Sequence, residues 1–100
     1  MSETRSLAGI RIYLVEHYSE GVDEATALGL ATRLAAAAEA RRDDVRLIGS
    51  ACVPSDESFL SLFASSSPDA VVGAVESAGV VVDRIVPVLW IGVEDCWEQR

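Results

Sequence analysis

Ile10-Arg11-Ile12-Tyr13-Leu14-Val15-Glu16-His17-Tyr18 is the stretch that decides the fold. It is rich in β-branched and aromatic residues and has neither Gly nor Pro inside it, which is the composition of a strand. Side chains of a strand alternate between its two faces. Ile10, Ile12, Leu14 and Glu16 therefore share one face, and Arg11, Tyr13, Val15 and His17 share the other. The first set is aliphatic and suits a surface beneath helices. The second mixes aromatic, aliphatic and ionisable groups, so it is expected on the side that helices leave bare.

Around this strand the chain divides into further periodic segments. Ser19-Glu20-Gly21-Val22 is a loop. Asp23 can cap a helix that runs to about Arg42, with Leu28, Ala31, Ala35 and Ala38 on one stripe and Leu30 and Leu34 widening it. Val45 to Val53 reads as a second strand in which Gly49 marks a bulge. Pro54-Ser55-Asp56-Glu57 is a turn, and Ser58 to Ala64 a third strand. Ser67-Pro68-Asp69 starts a second helix, with an N-cap hydroxyl, a proline at a position that needs no N–H, and an acid suited to the dipole. Val71, Ala74, Val75 and Ala78 form its apolar stripe, and Gly79 ends it. Asp83 to Ile91 is a fourth strand, placed at a sheet edge by Pro87.

The order strand, helix, strand, strand, helix, strand, with right-handed crossovers, specifies an α+β fold. It is the ferredoxin-like βαββαβ arrangement, a four-stranded antiparallel sheet with two helices on one face. The first and third strands are central. The expected boundaries are a flexible leader over 1–9, the domain over 10–92 and an acidic tail over 93–100, where Trp97 could serve as an anchor.

Composition narrows the function classes. One hundred residues are enough for one core. The net charge is −8, and all eight basic residues are Arg, scattered along the chain. Nucleic acid and anionic membrane, which need clustered basic groups, are not expected partners. Cys52 and Cys96 form no CxxC pair, which excludes a zinc ribbon or a thioredoxin motif. No apolar run is long enough to span a membrane and no signal peptide is evident, so the expected location is cytoplasmic.

The side of the sheet left bare is expected to carry Tyr13, Val15, His17, Ile48, Cys52, Phe59, Phe63, Val86, Val88 and Trp90. Such a surface is too apolar for a monomer to leave wet, so self-association through it, as a homodimer or higher oligomer, is expected. A ligand pocket there would draw on Tyr13, His17, Cys52, Phe63 and Trp90.

Three segments resemble a family of small bacterial proteins of unknown function that has nickel-binding proteins among its members. They are Tyr13-Leu14-Val15-Glu16-His17-Tyr18; the hairpin from Leu47-Ile48-Gly49-Ser50 through Asp56-Glu57; and Ser67-Pro68-Asp69-Ala70-Val71 through Ala78-Gly79 to Asp83-Arg84-Ile85. The resemblance implies a ferredoxin-like fold, frequent oligomers, and nickel or another divalent metal as cofactor. Val81, where proline is expected, and Ser61, which brings neither thiol nor acid, depart from the pattern.

His17 is the single histidine. It and Glu16 lie on opposite strand faces and cannot chelate one ion together, so the expected metal ligands are His17 and Glu20, with Cys52 as a third. Against this stands a histidine bonded at the sheet end or solvated. Three functions follow: a metal- or small-ligand-binding homo-oligomer; a cofactor-independent enzyme, monooxygenase- or isomerase-like, with a pocket on the open face of a dimeric sheet; or an interaction module.

Overall fold

A computed structural model describes residues 9–91. The expected leader over 1–9 and acidic tail over 93–100 therefore lie almost wholly outside the described residues, and Trp97 and Cys96 with them.

The elements follow the expected order. Strand β1 spans Arg11–Tyr18, helix α1 Glu24–Ala40, β2 Val45–Val53, β3 Ser58–Ser65, α2 Pro68–Ser77 and β4 Arg84–Val88, with a 3₁₀ turn at Pro54–Asp56 between β2 and β3. The sheet order is β2-β3-β1-β4, antiparallel at every pairing. This is the ferredoxin-like α+β fold. The first and third strands are central, and Pro87 lies in the edge strand β4, opposite Tyr13.

Local chemistry sets the helix ends. The Asp23 carboxylate accepts the amide of Thr26 at 2.9 Å, and this bond holds its pKa below the ordinary value. Ser67 caps α2 by accepting the amide of Ala70 at 3.3 Å, and Pro68 follows in the first turn. After the C-cap Ala78, Gly79 takes φ +79°, where a residue without Cβ meets no penalty. On α1 the buried residues are Leu30, Leu34 and Ala38, while Leu28 is 61 % exposed. The helix is thus rotated from the expected stripe.

The strand phases are a correction. Tyr13, Val15, Phe59 and Phe63 are buried in one core with Leu30, Leu34, Ala38, Val71, Ala74 and Val75. They face the helices, not the bare side. The reason is volume. Apart from Leu30 and Leu34 the helices present Ala and Val to the core, and a densely packed interior then needs further large residues from the sheet. Cys52 also changes sides, for a different reason. The register of β2 against β3 shifts between Leu47 and Gly49, a bulge that inserts one residue. Beyond it Ser50 and Cys52 pair with Ser61 and Phe59 on the covered side, and Ala51 pairs with Leu60 on the open one.

The open face nevertheless remains apolar. Cross-strand pairing lays it out in ranks. Ala64, Ile12 and Val88 form one, with Arg46 at its edge; Gly49, Leu62, Leu14 and Val86 form the next; Ala51, Leu60, Glu16 and Arg84 form the third. Val86 and Val88 lie on the side where the sequence placed them. No described helix or strand covers this face.

Candidate functional site

Two mainly apolar clefts, one on each side of the sheet, and one polar cluster are the candidate sites among the described residues. The larger cleft, of about 480 Å³, lies on the open face over the bulge. Its floor is Leu14, Leu60 and Leu62, its edge the segment Ile48–Ala51, and its wall the half-exposed Trp90. The bulge creates it, because Gly49 occupies the rank position where a larger side chain would fill the floor. No acid, base or thiol among the described residues lines it. It can hold an apolar molecule but offers no proton donor or acceptor among its ionisable groups.

The residues expected to line one pocket are therefore not brought together. Tyr13, 6 % exposed, and Phe63, fully buried, are core. Cys52 belongs to a second cleft on the covered side. His17 sits at the end of β1, and of the five only Trp90 reaches the open-face cleft. An acid–base role there for His17 or Tyr13 would need both on the other side of the sheet.

His17 has defined surroundings. Its Nδ1 lies 2.9 Å from the carbonyl oxygen of Val81. A carbonyl only accepts, so Nδ1 carries the hydrogen, and in the neutral ring Nε2 has the lone pair. Asp83 Oδ2 is 3.8 Å from the same Nδ1. An imidazole held by a backbone carbonyl is oriented as metal-binding histidines are, yet one donor does not make a site. Glu20 is exposed in the β1–α1 loop, and among the described residues no three of His, Cys, Asp and Glu lie close enough to hold an ion. The described donors of one chain do not by themselves fit a nickel site.

The polar cluster at this end of the sheet escaped the sequence reading. Glu57 adopts a left-handed conformation, φ 54°, at the end of the β2–β3 turn. Its carboxylate accepts the amide of Gly21 at 2.7 Å and the phenol of Tyr18 at 2.8 Å, and its carbonyl accepts the amide of Ser19 at 2.8 Å. The Gly21 amide and then the Tyr18 hydroxyl hold the Glu57 carboxyl below its ordinary pKa. The same bond and the nearby charge raise that of Tyr18. Asp83 accepts the amide of Tyr18 at 2.7 Å and donates its own amide to the carbonyl of Glu16 at 2.9 Å. Three loops are thereby tied to one strand end. These bonds fix Asp83 just before the start of the last strand. Nothing in the spacing of Tyr18, Gly21 and Glu57 signals the cluster; it exists only once the hairpin is folded against β1.

A crystal structure of the protein SCO4226 from Streptomyces coelicolor A3(2) has the same fold. The two superpose with a TM-score of 0.66 at 22% sequence identity, covering 81% of this chain and 99% of that one. At that identity the likeness concerns the fold alone. No protein-family model matches the chain, and no curated protein matches it. No described helix is long and apolar enough to cross a membrane.

Proposed function

We propose that this chain is a self-associating binding protein, whose copies pair through the open face of the sheet and hold a small apolar molecule in the cleft over Gly49. The ranks of aliphatic side chains on that face, with Trp90 beside them, carry the reading. Four strands spaced ~4.8 Å apart and about six residues of ~3.3 Å rise give a footprint of about 380 Å². That lies in the range where the largest apolar patch of a monomer is commonly functional. Two such faces, with the relief of their side chains, approach the ~1,000 Å² at which specific interfaces begin. Burial of about 500 Å² of apolar surface is worth about 12 kcal/mol. Association costs about 4–15 kcal/mol. The balance favours a reversible, concentration-dependent pair over a permanent one.

Leu14 sits at the centre of the face, opposite Leu62 and Val86. Sedimentation velocity across a concentration series tests the pairing. The wild type should dimerise in the micromolar range, and Leu14→Arg should stay monomeric with an unchanged circular dichroism spectrum. A wild type that remains monomeric well above micromolar concentration ends the proposal.

Nickel is the second reading, supported by the orientation of His17. It requires donors beyond the described residues of one copy. Calorimetric titration should then give heat with the wild type and none with His17→Ala; no heat with the wild type removes the metal and leaves the pairing standing.

A further inference from the structure

A second cleft, of about 320 Å³, lies on the covered side of the sheet between α1 and β2. Its origin is legible in side-chain size. Where α1 crosses the edge strand it presents Ala27 and Ala31, and β2 answers with Ser50 and Cys52. Small residues on both walls leave space that the floor, Phe59 at 2 % exposure, does not fill. Protein interiors are otherwise close-packed, and a volume of this order is at the lower limit of small-molecule sites.

The polar groups around the cleft select the ligand. The Ser50 hydroxyl is already bonded to that of Ser61 at 2.8 Å. Pro54 has no N–H to give. The remaining charged group is the Glu24 carboxylate at the mouth, an acceptor only. Among the described residues the walls thus offer negative charge, with no cation to pair an anion, on a chain whose net charge is −8. We propose that this cleft binds a small apolar amine, its hydrocarbon part against Ala31 and Phe59 and its ammonium group toward Glu24. The site lies on the opposite side of the sheet from the pairing face and stands independently of it.

Cys52 is in the cleft wall and only partly exposed, so its thiol reports occupancy. The test follows the rate at which methyl methanethiosulfonate modifies Cys52 in the full chain, with peptide mass mapping to separate it from Cys96. Protection by a bound probe scales as 1 + [L]/Kd, so benzylamine at twice its Kd should slow modification about threefold. Benzoate should give none, and Glu24→Gln should reduce benzylamine to the level of benzyl alcohol. Ala31→Leu, which fills the space, should abolish protection by every probe; if that variant does not fold, the amine–benzoate contrast and Glu24→Gln decide alone. Absence of protection by benzylamine, equal protection by benzoate, an amine preference that survives Glu24→Gln, or protection that survives a folded Ala31→Leu would each overturn the proposal.

Discussion

Phe63 and Leu62 are neighbours on β3 that point to opposite sides of the sheet, and truncating each to alanine should have very different costs. Phe63 is fully buried in the core shared with both helices. Removing its ring leaves a cavity that the surrounding elements fill only in part, which costs about 3–5 kcal/mol. A domain of this size has about 4–12 kcal/mol of stability at ~0.05–0.15 kcal/mol per residue. Phe63→Ala should therefore remove a quarter or more of it and lower the melting temperature by about 12 °C or more, at about 4–8 °C per kcal/mol. Leu62 lies half-buried on the open face, beside Leu14 and Gly49. Its truncation loses about 1 kcal/mol or less in the monomer, since much of the side chain is already wet. Urea titrations of both variants at low protein concentration, with the slope checked for two-state behaviour, measure the difference. Equal costs, or a larger cost at Leu62, would refute the assignment of the strand faces and with it the open-face cleft. The pairing proposal adds a second signature: the cost of Leu62→Ala should grow with protein concentration, and that of Phe63→Ala should not.

Two further outcomes follow from local geometry. A Cβ on Gly73 of α2 would lie 2.7 Å from Nη1 of Arg41, the far end of a flexible side chain. Gly73→Ala should displace the guanidinium and still stabilise the protein by up to about 1 kcal/mol through helix propensity; urea midpoints would show a loss instead if Arg41 were firmly anchored there. Glu57 titrates below its ordinary value because Gly21 and Tyr18 donate to its charged form, so its contribution is complete above the unfolded pKa and is lost as pH falls through the folded one. Tyr18 is raised by the same contact, so its contribution is lost as pH rises through its folded value. The melting temperature of the wild type should exceed that of Glu57→Gln by a constant margin from about pH 5 to pH 9, and the margin should close in acid; a margin unchanged below the carboxyl range would mean that the cluster contributes nothing through ionisation.

The order and type of the elements were legible in the sequence because they rest on local chemistry. Asp23 and Ser67 cap helices wherever they occur before an apolar stripe, Gly79 closes one, and Pro87 belongs at an edge in any antiparallel sheet. Period-two alternation likewise divided each strand into two sets. It could not say which set faces the helices. Ile12 and Leu14 look as ready for burial as Tyr13 and Val15, and only the volume left between the sheet and its Ala-rich helices chooses the second pair. At β2 the bulge was legible as Gly49, but its consequence, the transfer of Cys52 to the covered side, required the pairing register with β3. Both clefts and the Glu57 cluster lay beyond the sequence for one reason. They are made by residues distant in the chain that meet when an edge strand crosses α1 or a hairpin closes on β1, and a contact of that kind is fixed by tertiary packing, not by spacing.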